Sequence, residues 1–298
     1  MCIDNACPSK HNLDMNKLNT KRRAQIINCL VEGVSVRATC RLTGADKKTV
    51  LRLLVQVGEA CAEFMDKVMV DLPCKRLQAD EVWSFVAMKE KTAKRKGGYR
   101  PQDVGDIWTW TIIDADTKLI PTWRVGGRDG GTAFEMMMDV APRLAGRVQL
   151  TTDGHRAYLE AVEDAFGCDI DYAQLIKIYG EAAKEDQRKY SPAVCLGTER
   201  NVIEGEPDPA HISTSYVERS NLSIRMSTRR FTRLTNAFSK KLENHCHALA
   251  IFFAYYNFCR VHQTLRVTPA MEAGIADHVW TVEELVGLVK EEEVVILK

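Results

Sequence analysis

Three short strings carry carboxylates that could act together: Gln78-Ala79-Asp80-Glu81-Val82-Trp83, Leu150-Thr151-Thr152-Asp153-Gly154 and Ser215-Tyr216-Val217-Glu218-Arg219-Ser220-Asn221. The first two put their acids at strand positions. The third opens a run in which the 23 residues from Arg219 to Lys241 hold seven Lys/Arg and no Asp/Glu. Carboxylates beside a wholly basic helix suggest metal-assisted chemistry on a polyanion, and DNA is the polyanion that fits. Phosphodiester chemistry needs no protein nucleophile when two divalent cations are held about 4 Å apart, one activating water or a 3′-hydroxyl and one stabilising the leaving oxygen. Mg²⁺ takes a few carboxylates together with water and substrate phosphates, so three acids on rigid elements suffice.

Each acid also has a plainer role open to it. Asp153-Gly154 reads equally as a turn. Glu81 competes with Asp80, because neighbouring strand positions face opposite ways; Asp80 is favoured since it shares a face with the small Ser84. Ser215-x-x-Glu218 is also a capping box. Glu199 and Glu204 are further candidates, placed in a Gly/Pro-rich loop, which is a poorer platform.

The elements that must position these acids follow from pattern. Arg76–Met88 alternates as a strand, with Val82, Ser84 and Val86 against Glu81, Trp83 and Phe85. Lys89–Asp106 reads as basic and irregular. Ile107–Ile113 and Leu119–Val125 form a hairpin around Asp114-Ala115-Asp116-Thr117-Lys118, with Asp114 and Asp116 as turn formers. Pro121 marks the second run as an edge strand. A helix at Thr132–Leu144, a strand at Arg147–Thr152, a helix at Arg156–Phe166 and a strand near Asp169–Gln174 follow, then long helices including Leu242–Val261. This element order resembles the ribonuclease H-like fold, a mixed sheet flanked by helices. In that topology Asp80 and Asp153 sit on neighbouring strands, and Glu218 starts a helix that closes the site. His245 and His247 read as packing or polar-face residues, and Tyr255, Tyr256 and Phe258 as an aromatic core stripe.

Upstream, residues 1–14 form a leader, 15–60 a helix-turn-helix, and 61–75 a linker helix. Gly33 ends the first helix, Ser35 caps Val36–Thr43, Gly44 stops it, and Asp46 caps a third helix. In this motif the third helix enters the major groove with its N-terminal residues leading, here Lys47, Lys48 and Thr49, with Arg52 one turn on. Arg219, Arg225, Arg229, Arg230 and Arg233 supply backbone-phosphate contacts beside the acids. Residues 76–275 form the catalytic domain, with an inserted loop at 179–211, and 276–298 an acidic tail.

Composition bounds the class. The chain has 298 residues, 45% apolar and 27% charged, with a net charge of +1 that conceals local basic and acidic runs. Ten scattered cysteines without a CxxC pair fit a reducing compartment. No signal peptide and no membrane-spanning run is expected, which places the protein in the cytoplasm, beside a chromosome. Cys2, Cys7 and His11 are too few and wrongly spaced for a structural zinc site.

The three acidic strings together look like the catalytic core of DDE transposases, closest to the insertion-sequence-one family. Phe238-Ser239-Lys240-Lys241 and Tyr255-Tyr256-Asn257-x-x-Arg260-x-His262 resemble the end of that core, and His262–Ala270 is similar to retroviral-type integrases. The resemblance covers about residues 76–275. It implies Mg²⁺- or Mn²⁺-dependent DNA cleavage and strand transfer through Asp80, Asp153 and Glu218, acting on element terminal repeats and target double-stranded DNA, usually as a homo-oligomer. A nuclease that never joins ends, or a transposase-derived DNA-binding regulator, are the competing functions. The interval from Asp153 to Glu218 is long for that family.

Overall fold

The computed structural model describes residues 18–96, 104–180, 195–232 and 235–289. Three helices lead: α1 (Thr20–Val31), α2 (Val36–Thr43) and α3 (Lys47–Val68). Their ends are set locally. The Ser35 hydroxyl accepts from the Ala38 N–H, Asp46 accepts from the Lys48 N–H, and Gly44 takes the left-handed conformation (φ +67°) between α2 and α3. α3 runs unbroken through most of the expected linker, for 22 residues.

The sheet is built from β1 (Arg76–Val86), β2 (Gly105–Asp114), β3 (Thr122–Gly126), β4 (Gln149–Asp153), β5 (Asp171–Tyr179) and β6 (Cys195–Glu204). Their spatial order is β3-β2-β1-β4-β5-β6. β1, β2 and β3 pair antiparallel, β1, β4 and β5 parallel, and β6 closes antiparallel on β5. The protein is therefore a mixed α/β fold whose first five strands have the ribonuclease H-like order and direction. The hairpin turn is held by Asp114, whose carboxylate accepts from the Thr117 N–H and hydroxyl at 2.8 and 2.7 Å. β3 is an edge strand, and Pro121 sits just before it.

Two expectations are corrected. The segment from Lys89 contains a helix, α4 (Glu90–Lys96), capped from Asp106, which accepts the Glu90 N–H at 2.9 Å. The inserted loop contributes a strand: β6 runs beside β5, so Glu199 and Glu204 lie on an exposed sheet edge and not in a loop. Pairing to a neighbour, invisible in the segment's own polar composition, makes it a strand.

α5 (Gly130–Val140) and α6 (Ala157–Phe166) cover one face of the sheet; α7 (Ser215–Ser227) and α8 (Leu242–Ala254) cover the other. The first face is marked by Trp110 of β2 against Tyr158 of α6, the second by Trp123 of β3 stacked on Phe253 of α8 at 5.3 Å. A π-helical turn at Tyr255–Cys259 extends α8. There the fully buried Asn257 exchanges two hydrogen bonds with the backbone of Ile120, pinning that turn to the irregular segment that leads into β3. One continuous apolar cluster joins Ile26, Ile27 and Leu54 to Phe252 and Phe253 and to Leu77 and Trp110 in the sheet. Two short helices follow, α9 (Pro269–Glu272) and α10 (Val282–Gly287). The expected acidic tail is docked through Val289: Val282, Leu285 and Val286 of α10 are buried, and the Trp280 backbone N–H donates to the Phe258 carbonyl. No helix among the described residues is long and apolar enough to cross a membrane.

Candidate active site

β1 and β4 run parallel with Ala79 opposite Thr152, so the next residues, Asp80 and Asp153, emerge side by side where β4 ends. The carboxyl ends of parallel strands are where open α/β sheets collect ligands. A cavity of about 370 Å³ opens there, bordered by Asp80, Asp153, Lys177, Thr214 and Glu218. The three acids singled out from sequence thus share one cavity.

Their partners differ. Asp80 Oδ2 accepts from the Asn221 side chain of α7 at 2.8 Å. Burial, reinforced by the neighbouring Glu81 and Asp153 carboxylates, pushes Asp80 up to about 7. Asp153 Oδ1 accepts the His155 N–H at 2.9 Å, closing the turn after β4. Glu218, in the first turn of α7, accepts from the Thr214 hydroxyl at 2.5 Å and from the Lys177 ammonium. The capping box is not formed: Thr214 is the N-cap residue and Ser215 is the first residue of the helix. The end of α7 is capped from the sheet, where Gln78 Oε1 accepts the N–H groups of Tyr216 and Val217 at 2.8 and 3.2 Å.

Among the described residues, the acids whose oxygens lie within 4.8 Å of one another are Asp80, Glu81 and Asp153, while Glu218 stands across the cavity, outside that group. Glu81 faces the α5–α6 side. Its carboxylate accepts from Arg128 Nε at 2.5 Å and from the Tyr158 hydroxyl at 3.1 Å. Burial and Asp153 raise Glu81, and Arg128 offsets part of that shift. An all-oxygen, partly buried carboxylate set fits a hard divalent cation.

The basic residues divide. Lys47, Lys48 and Arg52 are exposed at the start of α3, and Thr49 is half-buried. Arg219 is exposed on α7, and Arg225 and Arg229 are half-buried. The expected single basic helix is corrected: α7 ends at Ser227, and Thr228 turns extended before a 3₁₀ turn at Arg229–Phe231. Burial of Phe231 against His245 draws the chain inward there. Arg230 follows it, donating to Ser239 at 2.7 Å, and burial lowers its guanidinium to about 10. Arg233, and the Cys2, Cys7 and His11 group, lie outside the described residues.

Sequence reasoning passed over Gln78, Arg128, Tyr158 and Lys177. A basic residue between glycine pairs, Gly126-Gly127-Arg128-Asp129-Gly130-Gly131, was the available signal for Arg128. Nothing local marks Gln78 or Lys177.

No protein-family profile matches the chain, and no curated protein matches it. Among solved structures, the piggyBac transposase synaptic complex with hairpin DNA is similar over 92% of this chain and 72% of that one, at 9% identity and a TM-score of 0.38. A likeness of that size carries no functional weight.

Proposed function

We propose that the chain is a DDE-type transposase of a bacterial insertion sequence, binding element ends and catalysing metal-dependent DNA strand cleavage and strand transfer. The observation that carries the reading is the convergence of Asp80 on β1, Asp153 at the end of β4 and Glu218 on α7 upon one cavity. The three carboxylates come from three elements far apart in sequence, and burial together with the acidic neighbours leaves Asp80 at an unfavourable pKa. That is a cost to stability of the kind found at functional sites.

Asp80, Asp153 and Glu218 would hold Mg²⁺ or Mn²⁺, which when bound supplies charge for activating a water or 3′-hydroxyl and for the leaving oxygen. Asn221 orients Asp80, and the His155 N–H orients Asp153. Gln78 fixes the start of α7 and so the reach of Glu218. Lys177 neutralises Glu218 and borders the same cavity, positioned to meet a phosphate. Residues 15–60 are the end-binding unit, with Lys47, Lys48, Thr49 and Arg52 toward DNA, and Arg219, Arg225 and Arg229 contact phosphates beside the acids. Pairing two ends calls for a homo-oligomer on DNA, in the bacterial cytoplasm.

The test is a strand-transfer assay on the element's own ends with Mg²⁺, comparing wild type with Asp153→Asn. Joined product that requires metal and disappears in the variant is expected. Cleaved but never joined ends would make the protein a nuclease, and binding without cleavage would make it a DNA-binding regulator.

A further inference from the structure

Beside Asp80, Asp153 and Glu218 stands a fourth acid, Glu81, and it has a dedicated partner. Glu81 lies close enough to Asp80 and Asp153 to share a cation with them. Yet its side chain is 2% exposed and does not border the cavity that Asp80, Asp153 and Glu218 line. Both its oxygens are taken, Oε1 by Arg128 Nε at 2.5 Å and Oε2 by the Tyr158 hydroxyl at 3.1 Å. A second nitrogen of the same guanidinium, Nη2, stands 3.7 Å from Asp153 Oδ2. Arg128 therefore spans the corner between Glu81 and Asp153, where a cation shared by those two acids would sit.

The segment that carries Arg128 is built to hold it there. The Trp110 indole N–H donates to the Gly127 carbonyl at 2.9 Å. Asp129 caps α5, accepting the Thr132 N–H at 3.0 Å. A side chain at Gly126 would run into Thr132, and one at Gly127 into Asp129. Fixed on both sides, Arg128 needs no rearrangement to reach its acids, although its side chain is 47% exposed. An arginine remains charged at any working pH, so the pairing is permanent.

We propose that Arg128 is a positioning residue, an internal cation that closes Glu81 to metal and confines the divalent ion to the Asp80–Asp153–Glu218 side. The proposal rests on the functional reading above. Arg128 cancels one of four clustered negative charges and holds Asp153 Oδ2 on the boundary between its own corner and the cavity. Without it, Glu81 becomes a competing ligand, and an ion bound in that corner would draw Asp153 away from the other two acids.

The experiment is Mn²⁺ binding by the full chain at pH 8 without DNA, counted from the free-ion electron paramagnetic resonance signal. Wild type, Asp153→Asn, Glu81→Gln, Arg128→Met and the Glu81→Gln/Arg128→Met double variant are compared. Glu81→Gln is expected to change the Kd less than threefold, whereas Asp153→Asn loses binding. Arg128→Met is expected to bind one more Mn²⁺ per chain, or to bind at least tenfold more tightly, and the double variant returns to wild-type stoichiometry. Arg128→Lys, which keeps a charge but not the two-acid span, gives an intermediate value. If Arg128→Met binds as wild type does, or Glu81→Gln loses Mn²⁺ as completely as Asp153→Asn, the proposal is wrong while the transposase reading stands. If Asp153→Asn binds Mn²⁺ as wild type does, both fall.

Discussion

Gln78→Met tests whether α7, and with it Glu218, is held by the sheet. Gln78 is 3% exposed and lies on β1 two residues before Asp80, on the same face. Its single carbonyl oxygen serves two N–H groups of the first turn of α7, Tyr216 and Val217, which have no acceptor within the helix. No side chain of the helix's own N-cap replaces it. Methionine keeps the volume and removes the acceptor. A buried donor left unpaired costs about 1–3 kcal/mol. The Val217 amide is buried and incurs that cost in full, while the Tyr216 amide is partly open to water and incurs a fraction. The sum is about 2–4 kcal/mol, a large part of an ordinary domain's stability. Urea unfolding followed by tryptophan fluorescence reads the global loss, and hydrogen exchange reads the local one, since a chain of this length need not unfold in one step. Faster exchange at Tyr216 and Val217 should accompany weaker Mn²⁺ binding, because Glu218 follows directly. A loss below about 0.5 kcal/mol with unchanged exchange at those two amides would refute the capping argument.

His245 should make the protein acid-sensitive: burial, aided by Arg230, lowers it to about 3, so it is neutral when folded. The unfolded chain binds the extra proton below its ordinary value of about 6.5, so this stabilisation is complete above pH 6.5 and falls away toward pH 3. The loss at pH 5 relative to pH 7 is about 2 kcal/mol, and His245→Gln should shrink it in paired urea titrations; an identical pH slope would contradict the assignment. Gly58→Ala should destabilise despite alanine's better helix propensity, because the new Cβ meets the Cβ of His247 at 2.5 Å and its backbone carbonyl at 2.9 Å where α3 crosses α8. Forcing the helices apart costs about 1–3 kcal/mol, and a raised thermal midpoint would show that the crossing yields freely.

Much of the framework was legible along the chain because its determinants are local. Ser35, Asp46 and Gly44 set helix ends through bonds to residues two to three positions away or through their own dihedral angles. Asp114 shapes its hairpin in the same way, and the alternation around Val82 and Ser84 reports the two faces of β1. These signals set the order of elements, and it was the resemblance of that order to the ribonuclease H-like fold that put Asp80 and Asp153 on adjoining strands. Tertiary structure alone decided the rest. β6 is a strand because β5 offers it an edge, and Arg230 is drawn inward because Phe231 is buried. Gln78 caps a helix 138 positions downstream, and Arg128 neutralises a glutamate 47 positions upstream. Composition cannot encode such pairs, since each member looks like an ordinary polar residue until the fold brings its partner within hydrogen-bond reach. Residue types and spacing determined which acids could meet; packing between distant elements decided that Glu81 is engaged by Arg128 while Asp80, Asp153 and Glu218 face the cavity.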